Sequence, residues 1–525
     1  MREVVVNADE MNDGDMREFE VGDQKVLLVR LNGEFYAVGG ECTHFGAPLA
    51  DGTMHKGRVR CPWHHACFDA VNGDLEEPPA LDALSRFEAR VEDGEVIVEV
   101  PEDATSEVQP ELVEKDLSQD DRTFLIVGGG AASSTAAETL RKTGFQGEIN
   151  VITREESSPY DRTQLSKYQL ENNKSGVPNL RTSDFYEKAG IRITKGKEVV
   201  SLDTDAKKVS LDDGGDVSYD KVLLSPGAEP NTLGVTGENL NNVFPLRTPE
   251  DLSRINKKAE EASSVVVIGS SFIGMETAAS LRGRGLDVTV VSVTSVPFER
   301  VLGKQIGEVY QKTHSDNGVN FEMGSKVDSF KGDSEVREVE LSNGEALPAD
   351  MVVLGVGVSP ATGFLEESLS LEADGGIDVD KYLRVTEDVY AAGDVARFPD
   401  WRTGEKIRVE HWRLAQQHGI VAARNMAGER IPYRSLPLFW TNQFDIYLRY
   451  VGYTSSWDDL IITGDLDQKN FIGYYVKDGR IAAAVGANVN QKMAALAELM
   501  REEKLPTPGK IRSDGFDPVE HLRGL

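Results

Sequence analysis

The chain has 525 residues, 39% of them hydrophobic, and a formal net charge of -31. At that length burying a core is no limitation and roughly three or four domains are expected. No apolar run approaches the ~20 residues of a membrane span, and a negative field of this size repels phosphate backbones and anionic lipid, so neither nucleic acid nor a membrane is an expected partner.

The first residues carry no basic stretch followed by a long apolar run, which reads as a cytoplasmic rather than an exported protein. Residues 1–103 read as all-β, with apolar runs such as Lys25–Val29 and Glu95–Val100 bounded by Gly, Asn and Asp turns. Among them lie Cys42-Thr43-His44 and Cys61-Pro62-Trp63-His64, a C-x-H half and a C-x-x-H half with sixteen residues between them. Two Cys and two His in this mixed order suit a Rieske [2Fe–2S] centre, in which two thiolates hold one iron and two imidazoles the other. A zinc finger would instead pair Cys with Cys and then His with His. The expected metal ligands are therefore Cys42, His44, Cys61 and His64. Cys67 is a spare thiol, and His65 reads as a solvent-facing loop residue. All three cysteines lie before residue 68, which fits a reducing compartment and excludes dithiol or cysteine-nucleophile chemistry further along.

Pro78-Pro79 marks a rigid loop. Residues 104–121 are acidic and lack apolar periodicity, which predicts a linker. As a flexible coil of ~20 residues it would reach about 25 Å, enough for the first module to dock and release.

From Arg122 strands alternate with helices, the pattern of a parallel sheet. The strand Thr123–Val127 feeds Gly128-Gly129-Gly130-Ala131-Ala132-Ser133 and then a helix to about Lys142. In this G-x-G-x-x-S arrangement Gly128 makes the tight turn, and Gly130 lets a pyrophosphate approach the backbone at the helix N-terminus. The next strand ends near Glu155 and Glu156, one of which should accept ribose hydroxyls. A second fingerprint follows Val265–Ile268, with Gly269, Ser271 at the middle position, and Gly274. Its following strand ends at Ser292, where an acid would hold the 2′-hydroxyl of NAD and repel the 2′-phosphate of NADP. No acid is present and no Arg follows immediately, so NADH and NADPH both stay open. A further apolar strand closes on Gly393-Asp394.

Several later segments carry a resemblance. Pro159-Tyr160-Asp161-Arg162 with Leu165-Ser166-Lys167, Gly355-Val356-Gly357-Val358-Ser359-Pro360, Glu410-His411-Trp412 and Phe439-Trp440-Thr441 occur in order. The run from Thr123 to about Asp465 resembles a pyridine-nucleotide-dependent flavoprotein of the ferredoxin-reductase and apoptosis-inducing-factor type. With the N-terminal module, the chain is similar to the Rieske-bearing, apoptosis-inducing-factor-like subgroup.

That resemblance implies FAD, with Glu155 on its ribose, Arg162 and Lys167 lining the flavin and Asp394 on the ribitol. Lys167 would pair with Glu276 near flavin N5, and Phe272 would lie where nicotinamide stacks, which makes these three the expected catalytic residues. Gly128, Gly130, Ser133, Gly269, Ser271, Gly274, Gly357, Gly393, Trp412 and Trp440 complete the expected cofactor-binding set. Ala47 and Trp63 stand where high-potential Rieske relatives carry a disulfide, and Ala66 and Phe68 where those relatives donate hydrogen bonds to sulfur. The cluster is therefore expected toward the low end of the roughly −150 to +300 mV Rieske range.

The expected architecture is an all-β Rieske domain (1–103), the linker (104–121), α/β Rossmann-like domains for FAD (122–245 and 378–432) and NAD(P) (246–377), a small α+β C-terminal domain (433–505) and an extended tail (506–525). The expected function is electron transfer from NADH or NADPH through FAD and the [2Fe–2S] cluster to an external acceptor, by a monomer or homodimer. The alternatives are an oxidase-type flavoprotein and a redox sensor in which reduction switches domain docking.

Overall fold

Two antiparallel sheets make up the N-terminal module in the computed structural model, which describes residues 1–174, 176–513 and 515–525. The larger sheet runs in the order Arg2–Asn7, Glu95–Glu99, Arg86–Glu92, Glu34–Gly39, Gln24–Leu31, Met16–Val21. The smaller has Thr53–His55, Arg58–Arg60, Cys67–Asp69 and Leu75–Glu77. Cys61 to Ala66 form the loop between two of these short strands, and Cys42 follows Glu34–Gly39. Both ligand loops close on themselves: the Cys42 N–H donates to the Ala47 carbonyl and the Cys61 N–H to the Ala66 carbonyl, each at 2.9 Å. Leu27, Val29, Val59 and Phe68 pack around the two cysteines.

Two parallel five-stranded sheets form the centre. One is ordered Ile191–Thr194, Glu148–Ile152, Thr123–Val127, Lys221–Leu224, Val389–Ala391; the other Val243–Pro245, Met351–Leu354, Ser264–Ile268, Asp287–Ser292, Val319–Met323. Their middle strands are continuous apolar runs, as sheets covered on both faces require. In each sheet a glycine-rich loop leaves the third strand, the position at which open α/β sheets bind ligands. A five-stranded antiparallel sheet follows, in the order Leu438–Gln443, Ile446–Gly452, Arg480–Ala487, Asn470–Lys477, Asp459–Asp465, backed by the helix Asn490–Arg501.

Two sequence expectations fail here. The tail is not an extended arm: it folds into helices Pro508–Ser513 and Pro518–Arg523, and Ile511, Val519 and Leu522 seal the apolar core under Asn490–Arg501. The acidic segment after Pro101 is not a free coil. Glu107–Val108 pairs with Ala83–Leu84, the Asp116 N–H donates to the Gln146 carbonyl at 2.9 Å, and Leu112 packs on the core of the first parallel sheet. Its backbone finds partners on both modules, which no local periodicity announces.

Candidate active site

A cavity of about 840 Å³ opens at the ends of the parallel strands, walled by both glycine-rich loops and by the C-terminal sheet. The glycines of the first loop serve different ends. Gly128 has φ +118°, and a Cβ there would lie 2.1 Å from the Ser225 carbonyl oxygen, so only glycine fits the turn. Gly130 has open space where a Cβ would be, and it precedes the helix Ala131–Lys142 with no side-chain cap. The unpaired N–H groups of that helix start thus face the cavity unobstructed, as an incoming pyrophosphate requires. Ser271 stands at the matching position before the helix Phe272–Gly283, likewise without a capping bond. Gly357 and Gly393, both at positive φ, also lie on the wall.

Three expected cofactor residues sit behind that wall instead. Ser133 is buried, and its hydroxyl lies 2.9 Å from that of Ser225, stitching helix to strand loop. Cβ atoms on Gly269 and Gly274 would meet the carbonyl oxygens of Gly355 and Gly269 at 2.2 and 2.1 Å, so these glycines serve close backbone packing.

The polar wall is braced. Glu155 accepts from Tyr160 Oη at 2.8 Å and from Arg162 Nη2 at 2.6 Å, while the Arg162 guanidinium lies over the Tyr160 ring. Asp394 pairs with Arg247 at 3.1 Å. Lys167 Nζ is 2.9 Å from the buried Glu276, whose carboxylate also accepts from Ser166 Oγ at 2.5 Å and Thr441 Oγ1 at 2.7 Å. Arg247 and Thr441 were not among the expected site residues; Thr441 lay inside the Phe439-Trp440-Thr441 segment, whereas Arg247 had no local signal. Phe272 lines the cavity with its ring against Phe298 and Phe439, at 4.9 and 4.7 Å between centroids. The anion-ready helix start, the acid after the second strand and Asp394 on one continuous wall fit the pyrophosphate, ribose and ribitol of FAD.

The four expected metal ligands come together at the tip of the N-terminal module. Cys42 and Cys61 are buried within hydrogen-bonding reach of each other, and the His44 and His64 Nδ1 atoms stand 3.0 Å apart. Two nitrogens at about 2.1 Å from one metal ion and roughly a right angle apart have this separation. Burial lowers both imidazole pKa values, that of His44 to about 3, so both rings are neutral, the form that ligates. Among the described residues no three His, Cys, Asp or Glu side chains converge on a single point. A dinuclear centre splits its ligands two and two, whereas a tetrahedral zinc would gather all four. The residues fit a [2Fe–2S] cluster.

His65 is not solvent-facing. It is 0% exposed, at φ +62°, and its carbonyl accepts from Arg60 at 3.1 Å and Arg413 at 3.3 Å. The reason is the domain interface. Arg60 of the N-terminal module reaches Glu498 on the helix Asn490–Arg501 at 2.5 Å, and Glu77 at 3.2 Å. Glu77 also pairs with Arg413 on the helix Trp412–Met426, whose Nε donates to the Pro78 carbonyl at 2.8 Å. The side chains of Glu498, Arg413 and Arg60 are 0%, 2% and 3% exposed. The arginines hold the Glu77 carboxyl far below its ordinary range against the opposing effect of burial. Arg181 adds a second clamp, 2.6 Å from Asp82. Docked this way, the ligand histidines face Trp440, which lines the large cavity on its other side. Its ring is 4.5 Å from that of His64 and 6.2 Å from that of His44.

Comparison with known proteins agrees with this geometry. Residues 122–419 match the pyridine nucleotide-disulphide oxidoreductase family, residues 2–88 the Rieske [2Fe-2S] domain, and residues 438–524 the reductase C-terminal domain. The chain belongs to the pyridine nucleotide-disulphide oxidoreductases. Within them it is a Rieske-bearing, apoptosis-inducing-factor-like flavoprotein, 39% identical to the apoptosis-inducing factor 3 of Homo sapiens over 94% of this chain and 83% of that protein. It is also 32% identical to the rhodocoxin reductase of Rhodococcus erythropolis, over 75% of this chain and 93% of that one. A ferredoxin reductase from Rhodopseudomonas palustris superposes with a TM-score of 0.73 at 30% identity, covering 77% of this chain and all of that one. The covalent putidaredoxin reductase–putidaredoxin complex gives a TM-score of 0.73 at 28% identity, over 77% and 98% of the two chains. The cofactors of the chain are accordingly FAD, a [2Fe–2S] cluster and NAD(P)H.

The interface yields two expectations. Glu77→Gln leaves Arg60 and Arg413 short of a counter-charge, and should lower the unfolding free energy of the loaded protein by about 3 kcal/mol in a denaturant titration; a loss under about 0.5 kcal/mol would show that the pairs carry no load. Because the folded pKa of Glu77 is depressed, its contribution is fully present above the unfolded value of about 4.3 and drains away as pH falls below it. Differential scanning calorimetry should therefore give a wild-type minus Glu77→Gln difference that is flat from pH 8 to 5 and shrinks below about pH 4.

Proposed function

We propose that this chain is a self-contained electron relay, an NAD(P)H-dependent reductase whose own Rieske centre receives the flavin's electrons and hands them to an external acceptor. The observation that carries this reading is the placement of Trp440, one ring shared between the wall of the FAD cavity and the cluster's two histidines. FAD supplies acceptance of a hydride and release of its electrons one at a time, and the [2Fe–2S] cluster supplies a one-electron carrier.

The chain's own residues then have distinct tasks. Gly128, Gly130 and the start of helix Ala131–Lys142 bind the pyrophosphate, Glu155 orients a ribose, and Asp394 with Arg247 orients the ribitol. Ser271 and Gly357 line the nicotinamide side, where Phe272 is the stacking surface. Glu276, fixed by Ser166 and Thr441, holds the Lys167 ammonium at the cavity wall, where a cation favours the negatively charged reduced flavin. Trp440 closes the cavity toward the cluster, and Trp412 lines it at the start of the helix Trp412–Met426. Cys42 and Cys61 hold one iron, His44 and His64 the other.

The acceptor is read as a protein electron carrier or oxygenase, because relatives of this chain are named as ferredoxin–NAD(+) reductase subunits of dioxygenase systems. No helix among the described residues is long and apolar enough to cross a membrane. The low cysteine content supports the cytoplasm as the compartment, and we read the protein as a monomer or homodimer. The sensor alternative, in which reduction switches docking, is disfavoured by the buried charges that already hold the module in place. An oxidase or peroxide-handling flavoprotein that works through an active-site cysteine has no cysteine in the reductase part to work with.

Anaerobic stopped-flow mixing of the loaded protein with NADH should show flavin bleaching followed by cluster reduction in the same molecule. A cluster that stays oxidised while the flavin bleaches would overturn the relay. Trp440→Ala should slow the cluster phase about tenfold or more, equivalent to about 1.4 kcal/mol on the barrier, and the flavin phase much less.

A further inference from the structure

Arg60, Arg413 and Arg181 each meet a carboxylate across the domain interface. A fourth buried arginine does not. Arg449, in the strand Ile446–Gly452, is 2% exposed and pairs with no acid among the described residues. Its Nη1 donates to Asn442 Oδ1 at 2.8 Å and to the Leu448 carbonyl at 2.9 Å, both neutral acceptors, and its Nε has no partner. A guanidinium taken out of water is costly unless an anion lies close by.

The position of Arg449 points to which anion that is. It stands directly across from Trp440 in the antiparallel pair, so the two side chains rise from the same face of the sheet. Trp440 meets His64 there, at 4.5 Å between rings. Burial pulls the pKa of Arg449 down to about 10, which leaves it a cation at neutral pH; the Cys61 sulfur is first among the groups opposing that fall, and the others are the phenols of Tyr310 and Tyr447. The same charge bears on the His64 and His65 rings. Lys167, whose charge also reaches His64, is already matched by Glu276. Around the cysteines Ala47, Ala66 and Phe68 offer no side-chain donor, and backbone N–H groups of the ligand loops are what stabilise the sulfurs locally. Arg449 adds a full charge from outside those loops.

We propose that Arg449 is the counter-charge of the reduced cluster, a positioning residue of the C-terminal domain that raises the reduction potential of a centre bound by another domain. Two ferric ions, two sulfides, two thiolates and two neutral imidazoles sum to no net charge. One electron from the reduced flavin turns one ferric ion ferrous and leaves a single negative charge, with no proton taken up. Only that state gains from a buried cation, so Arg449 favours the electron's arrival from the flavin side. The inference extends the relay reading by naming what makes the cluster a better acceptor once it is docked.

The test is an electron-paramagnetic-resonance titration of the FAD- and cluster-loaded chain with dithionite. Arg449→Gln keeps hydrogen-bonding capacity and removes the charge; it should lower the cluster's midpoint potential by about 59 mV or more, a tenfold change in a one-electron equilibrium. Arg449→Lys should retain most of the wild-type value. Asn442→Asp is nearly isosteric and places an anion at the atom that accepts from Arg449 at 2.8 Å; it should lower the potential with the arginine in place, and it decides the matter alone if Arg449→Gln fails to take up its cluster. The flavin potential should move much less in each variant. A cluster potential left in place or raised by either neutralising variant, or lowered as far by Arg449→Lys as by Arg449→Gln, would overturn the proposal. Because dithionite supplies the electrons, a cluster that dithionite reduces and NAD(P)H does not would sink the relay alone.

Discussion

The interaction on which the rest of the molecule depends is a buried chain of charges, Glu498–Arg60–Glu77–Arg413, that crosses from the C-terminal domain through the Rieske module to the FAD-binding unit. Ion pairs out of water gain little net stability over apolar packing, because desolvation offsets most of the attraction. What they impose is position. An arginine or glutamate this deeply buried has one acceptable arrangement, so the module is held in a single register against the reductase. Hydrogen bonds from the same arginines to the Pro78 and His65 carbonyls fix the ligand loop itself, not only the domain that carries it.

That register decides the function. The helix Trp412–Met426 begins with Trp412 facing the flavin cavity and Arg413 facing Glu77, so consecutive residues tie cofactor site and cluster domain together. Across the interface Trp440 meets His64, the partner strand of Trp440 carries the buried Arg449, and no separate carrier protein has to diffuse between flavin and cluster. With the histidines facing Trp440, the rings of Phe45 and Trp63 at the same ligand loops are exposed to solvent. Ala47, Ala66 and Phe68 are buried and apolar, so their side chains offer the cysteine sulfurs no hydrogen-bond donor.

How much of this was legible in the sequence depended on the range of the interactions involved. Cys42, His44, Cys61 and His64 sit in two tight loops, so spacing alone located the cluster. Gly128 and Gly130 could be read because strand, turn and helix are contiguous. Ser133, Gly269 and Gly274 were read with them, yet they serve packing one layer behind the wall, a distinction that needs the neighbouring strand loops in place. His65 lies in the domain interface, where its carbonyl is met by Arg413, hundreds of residues away in sequence, so nothing in its own loop announces its burial. The acidic segment and the tail depart from expectation for the same reason: polar composition and proline describe what a segment does alone, not what it does when Ala83–Leu84 or the helix Asn490–Arg501 offers it a partner. The charge network was invisible for the same cause, since Arg60, Glu77, Arg413 and Glu498 carry no motif.

The central claim is that the cluster is held beside the flavin rather than visiting it. The most direct measurement is the rate of flavin-to-cluster electron transfer in single-turnover experiments as solvent viscosity and salt are raised. A docked relay predicts a rate independent of viscosity, of ionic strength and of protein concentration. A rate that falls as viscosity rises, or that changes steeply with salt, would mean that the module must move to deliver each electron, and would contradict the account.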